Sequence, residues 1–197
     1  MRKLTDAEQE KIKLLTKNQV YLTLIEPTET GLKKSIMDAT GSVRSYLKSE
    51  NIHDYELQQQ GTESKVIIPT VIHTGFKTIK SQASLYRPST KKGDPRIWFY
   101  SLTKVAEPND IIAITYFDSQ FQVFNLSTLD INALINSAII NPFQELVSAI
   151  SFEESEISIE LLNKLKIISK KGFVKSKVNS DTGIGRTKES LLGIKMN

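Results

Sequence analysis

Cysteine is absent from the 197 residues, so neither a disulfide framework nor a thiolate metal site can form. Histidine is nearly absent too. His53 and His73 are the whole supply and lack metal-ligand spacing, which argues against zinc chemistry. No apolar run approaches the ~20 residues that a membrane helix needs. Residues 1–18 alternate charge and polarity instead of forming the apolar stretch of a signal peptide. These absences fit a cytoplasmic chain with no membrane partner. No serine stands in a Gly-x-Ser-x-Gly elbow. Gly31-Leu32-Lys33-Lys34-Ser35 lacks the spacing of a phosphate-gripping Walker loop, which excludes nucleotide binding there. No acid pair followed by lysine stands out as a magnesium-nuclease centre.

What is present is a soluble composition, 39% hydrophobic and 24% charged, enough for a core of normal size. The net charge is only +4, so its distribution matters more than its sum. Lys77, Lys80, Arg87, Lys91, Lys92 and Arg96 stand against one acid, Asp94, within residues 75–96. Residues 164–177 carry six lysines and no acid. Clustered cations suit a polyanionic partner, although solvated faces that touch nothing have the same composition.

Along the chain, Thr5 followed by Asp6 and Glu8 reads as a capped helix start. Val20 to Ile25 is a strand, and Thr28 to Gly31 a turn. Residues 41–50 form a helix with Val43, Tyr46 and Leu47 on one face. Asp54 to Gln59 suggests a short strand. Lys65 to Ile72 is a strong strand, in which Pro69 implies an edge or bulge. Phe76 to Lys80 alternates as another strand. Arg87 to Pro95 is a loop, and Arg96 to Tyr100 returns to buried character. Residues 101–108 make a short turn or helix. Ile111 to Phe117 and Phe121 to Leu126 flank Asp118-Ser119-Gln120 as a hairpin. A helix capped by Ser127 or Thr128 follows, Asn141-Pro142 breaks it, and residues 142–150 and about 156–170 read as two more. The fold class is therefore α+β: a β-rich, closed or half-closed barrel-like domain over 1–127, then a helical connector over 128–170.

The densest chemical constellation is Tyr86 to Phe99. Lys91 and Lys92 can neutralise phosphates, Ser89 and Thr90 can donate to phosphate oxygens, and Arg87 and Arg96 can grip guanine. Trp98 is read as core, because large aromatics are usually buried. Lys33 and Lys34, with Arg44 on the helix that follows, form a second candidate backbone-gripping arm, and Lys77 and Lys80 complete the set. His53 beside Asp54 is read as a satisfied structural histidine.

The end of the chain carries the sharpest pattern. Thr182-Gly183-Ile184-Gly185 makes a flexible turn, and a helix starting near Arg186 or Thr187 delivers Glu189, Leu191 and Leu192. Together with Gly172-Phe173, the run Thr182-Gly183-Ile184-Gly185-Arg186-Thr187 and Glu189-Ser190-Leu191-Leu192 resembles the opening of the MvaI/BcnI-type restriction endonuclease domain, a relative of the MutH nicking enzyme. The resemblance covers about the last 26 residues, so 171–197 is assigned as the incomplete start of such a domain. It implies that Glu189 lies near a metal site, and that the principal catalytic Asp and Glu-x-Lys follow beyond Asn197. On that expectation this chain needs no cofactor and is not catalytic alone. The full-length enzyme would use magnesium and carry the C-terminal nuclease domain.

Upstream, Thr30-Gly31-Leu32-Lys33-Lys34-Ser35-Ile36, Arg87-Pro88 and Lys92 to Phe99 resemble the N-terminal region of longer enzymes of this kind. In one such architecture, represented by UbaLAI, a DNA-binding pseudobarrel like the EcoRII effector domain and the plant transcription-factor barrels precedes the nuclease. That resemblance implies double-stranded DNA as partner. It also implies paired loops, placed at about 28–44 and 77–96, that enter the major groove at sites close to CC(A/T)GG or CC(C/G)GG. A protein-interaction domain using the helices after 127 and a complete nuclease with ungrouped carboxylates remain the alternatives.

Overall fold

A computed structural model describes residues 1–176 and 183–193, apart from the side chains of Lys91 and Glu154. It contains two compact units, Met1–Ile150 and Ser151–Asn197.

The first unit is built on a curled seven-stranded sheet, a half-barrel with the order β1-β6-β7-β3-β4-β5-β2. The strands are β1 Thr23–Ile25, β2 Met37–Asp38, β3 Val66–His73, β4 Thr78–Tyr86, β5 Arg96–Phe99, β6 Ile112–Phe117 and β7 Gln120–Asn125. All pairings are antiparallel except β3 with β7, where Thr70 to His73 lie beside Phe121 to Phe124 in parallel. Pro69 sits one residue before that parallel ladder begins. There β3 has a partner on one side only, so a residue without an N–H is tolerated. The β6–β7 turn uses Asp118 and Ser119, both at positive φ (52° and 59°). Two positive-φ residues match the turn to the strands' right-handed twist.

Alternation along the strands creates two cores. One gathers Ile72, Leu85, Ile97, Phe99 and Phe121 with Val43 and Leu47 of helix α3, Gly41–Ser49. Trp98 belongs to it, as the sequence suggested. The other, on the opposite face of β6 and β7, joins Ala113, Phe124 and Leu126 to Leu15, Ile131 and Phe143. Leu15 comes from α1, Asp6–Lys17, whose N-cap is Thr5, with Glu8 completing a capping box. Inside this second core Phe143 lies edge-on to Phe124 (5.0 Å between centroids) and to His73 (5.5 Å).

At the start of α1 lies a part-buried charge network. Arg2 donates to Glu8 Oε1 and Oε2 at 2.6 and 2.8 Å, and Ser127 Oγ donates to Glu8 Oε1 at 2.7 Å. The Arg2 guanidinium, with help from these hydroxyl and backbone donors, holds the Glu8 carboxyl down to about 2.

Several sequence expectations are corrected. Residues 28–31 are not a turn but the entry to helix α2, Glu29–Lys34, because Thr28 caps it. Asp54 to Gln59 forms turns, not a strand. Gln58 is buried there and its amide donates to Leu85 and Ser64 carbonyls, so the segment's polar groups are satisfied by side chains instead of a ladder. The strand placed at 76–80 begins at Thr78 and runs to Tyr86. Helix α4, Ile131–Ile135, is capped by Asp130 instead of Ser127 or Thr128, since Ser127 is spent on Glu8 and on the Ile111 amide. The two helices expected after 142 are one, α5, Pro142–Lys170, because no Gly or Pro interrupts 150–156. The closed barrel allowed by the sequence is open, with β1 and β2 as its edges.

In the second unit, the stretch of α5 over 152–167 exposes Phe152, Ile157, Ile159, Leu161, Leu162 and Leu165. Helix α6 spans Gly183–Leu192, so Gly183 and Gly185 are helical and not part of a preceding turn. The Thr187 hydroxyl, donating to the Gly183 carbonyl at 2.7 Å, ties down that first turn. Thr182, the first residue of the expected turn, lies outside the described residues, as do Lys177, Asn179, Ser180 and Asp181.

Candidate nucleic-acid interface

Two segments at one edge of the half-barrel approach each other. The first, 26–40, runs from the end of β1 through α2 and β2 to the start of α3. Thr28 Oγ1 accepts from the Gly31 amide at 3.0 Å, and Ser35 closes α2 in the left-handed conformation (φ 54°). Gly31 is required here: a Cβ would stand 2.9 Å from the Ile36 carbonyl oxygen. The second, 87–95, links β4 to β5. Its Arg87 turns inward and donates to three backbone carbonyls, Gly93 (2.8 Å), Gln58 (3.1 Å) and Tyr55 (3.4 Å). The Gln60 amide donates to the Lys92 carbonyl at 3.2 Å. Gly93 has φ +67°, and a Cβ on it would run into the Gln60 side chain. The segment is thus a pinned loop.

The segments are joined directly. The Ala39 amide donates to the Pro95 carbonyl at 2.9 Å, and Asp38 on β2 faces Arg96 on β5 as an ion pair. Between them lies a cleft of about 600 Å³ whose lining includes Thr28, Lys34, Asp38, Tyr86, Thr90 and Arg96. Tyr86 keeps its ring face under Lys65 Nζ, 5.1 Å from the centroid.

Against this frame the sequence candidates divide. Lys34, Thr90 and Arg96 line the cleft. Ser89 and Lys92 are exposed on the pinned loop, Lys92 at φ 60°. Lys91 lies in the short 3-10 turn Lys91–Gly93, with its side chain outside the described residues. Lys33 is exposed and paired with Glu29 at 2.6 Å. Arg44 braces the first segment by donating to the Ala39 carbonyl at 2.7 Å. Lys77 and Lys80 sit at the β3–β4 end of strand β4, away from Arg87. Residues 77–96 are therefore not one loop. Most of a nine-residue strand, roughly 25 Å long, separates the two cation groups.

Asp38 and Thr28 escaped the sequence reading. Asp38 becomes notable only through its register with Arg96, which pairs residues far apart in the chain. Thr28 carried a signal that was misread: a Thr three residues before a glycine at a helix start is a cap.

The histidines are structural. His53 lies edge-on to Tyr55 (4.5 Å) with Nε2 3.2 Å from Gln58, and burial pushes its pKa down. His73 Nε2 is 3.0 Å from Gln122 Oε1 in the core, and burial pushes it down likewise. Glu189 is exposed on α6. Among the described residues no three His, Asp or Glu groups gather as a metal centre.

The geometry defines an α+β half-barrel with a two-armed cleft at its edge, lined by polar and apolar side chains together. Residues 162–197 match the model of the MvaI/BcnI restriction endonuclease family. The match begins inside α5 and takes in the whole of α6. No curated protein and no solved structure shows a significant match to the chain.

Proposed function

We propose that the first unit is a sequence-specific double-stranded DNA-binding module of a type II restriction endonuclease, acting as a pseudobarrel that reads the major groove. One observation carries this reading: the segments 26–40 and 87–95, which overlap the loops expected at about 28–44 and 77–96, frame a single cleft. Its residue types suit the task. Hydroxyls at Thr28 and Thr90 and the Lys34 ammonium are suited to hold phosphates, and the part-buried Arg96 guanidinium is suited to base edges. Catalysis, with magnesium as cofactor, belongs on this proposal to a nuclease domain in the parent chain.

The test is selection of bound duplexes from a random pool by the purified chain at about 150 mM salt without magnesium. One enriched short motif supports the proposal. Recovery of unselected sequence, or of no DNA, removes it. In that event the exposed apolar residues of α5 over 152–167 favour a protein-contact role instead.

Two further outcomes follow. Replacing Lys91 and Lys92 together with alanine should weaken binding to all duplexes alike and flatten the salt dependence by up to ~2 units, if both touch phosphate. An unchanged slope in a salt titration takes that loop out of the interface. Arg87→Ala should act differently from a base-reading change, because its donors are used on carbonyls. Affinity should fall roughly tenfold or more through a loosened loop, since charged hydrogen bonds contribute about 1.5–3 kcal/mol. The preferred motif should stay the same. A changed motif in the same selection would make Arg87 a reader of bases.

A further inference from the structure

The Asp38–Arg96 pair has a chemistry that the cation pattern did not reveal. Its two residues face each other across β2 and β5, and their neighbours Met37 and Ile97, one step along each strand, are buried in the core. Alternation therefore sends Asp38 and Arg96 to the opposite face, where both line the cleft. Their exposures differ. The Arg96 side chain is 22% exposed and the Asp38 side chain 71%, so the carboxylate is the more accessible of the two. A bond from Tyr55 Oη to the Arg96 carbonyl (2.8 Å) fixes the backbone beneath. Asp38 lies on an edge strand with no strand beyond it, so a ligand can approach the pair from that side.

A guanidinium beside a carboxylate offers donors next to an acceptor. The major-groove edge of a G·C pair offers the complement, the guanine N7 and O6 acceptors next to the cytosine N4 donor. Neither an A·T nor a T·A edge has that order. Building on the DNA-binding reading above, we propose that Asp38 and Arg96 together read one G·C base pair, Arg96 donating to guanine and Asp38 accepting from cytosine N4. The acid also explains how an arginine in the cleft can avoid serving as a general phosphate contact. Pairing offsets its charge and orients the guanidinium, leaving recognition to depend on the edge presented.

The experiment starts from the motif selected by the unaltered chain. The selection is repeated with Asp38→Ala, whose folding is checked by thermal melting. One G·C position should lose its preference by about 5- to 150-fold while the remaining positions keep theirs. In parallel, each cytosine of the motif is replaced in turn by N4-methylcytosine. One replacement should abolish the preference of the unaltered chain and have no additional effect on Asp38→Ala. An unchanged motif in a folded Asp38→Ala chain overturns the proposal. So does tolerance of N4-methylcytosine at every position, which decides the matter even if the variant does not fold. Failure of the unaltered chain to select any motif is a different result, since it removes the specific-binding reading itself.

Discussion

Phe143→Ala is expected to lower the stability of the first unit by about 3–5 kcal/mol, the usual cost of emptying a fully buried aromatic site. Phe143 is completely buried and sits one residue into α5, where it holds the helix start against Phe124 and His73. Its ring fills the space between β3, β7 and α5, three elements that come from distant parts of the chain. A drop of roughly 10 °C in melting temperature should accompany the loss. His73 provides an independent readout. Its pKa is depressed by burial, so opening the Phe143 site should let it climb back towards the ordinary histidine range, visible by NMR titration. A variant with an unchanged melting temperature and an unchanged His73 titration would show that α5 does not begin on this core.

The second large effect concerns acid. Glu8 is held at about 2, below the usual ~4.3 of a glutamate in an unfolded chain. A group with a depressed folded pKa contributes its stability above the unfolded value and loses it as pH falls through the folded one. The Glu8 contribution should therefore be complete above about pH 5 and fade between pH 5 and 2. It amounts to about 3 kcal/mol at most, since each tenfold change in proton affinity corresponds to about 1.4 kcal/mol. Glu8→Gln should be less stable than the unaltered chain at pH 7, and the gap should close on acidification. Urea unfolding at both ends of that range measures it. Two pH profiles that stay parallel would show that the carboxylate is not held by Arg2 in solution.

Local signals were legible where one residue type determines one geometry. Thr5 with Glu8 marked the start of α1, the run of β-branched residues in 65–72 marked β3, and Asp118-Ser119 marked the β6–β7 hairpin. Legibility failed where tertiary contacts decide. Gln58 satisfies a segment that looked like a strand, and Ser127 looked like a helix cap but serves Glu8. The candidate site was half visible. Residue chemistry pointed to the two segments that frame the cleft, because lysines, arginines and hydroxyls between strands are local features. It did not separate Lys77 and Lys80 from them, since the length of β4 was underestimated. Nor did it find Asp38, whose role arises from a two-residue edge strand with almost no periodic signal. Arg87 and Arg96 looked alike in sequence, yet one is turned onto carbonyls and the other faces the cleft.

That inward turn of Arg87 bears on how such a module can change over time. The loop is fastened through main-chain oxygens of Tyr55, Gln58 and Gly93, and every residue type carries such an oxygen. Substitutions at Ser89 or Thr90 leave the fastening intact, whereas Lys92, at φ 60°, suits only residues that tolerate the left-handed conformation. A loop anchored this way can drift through many outward-facing sequences on a constant scaffold without first regaining lost stability.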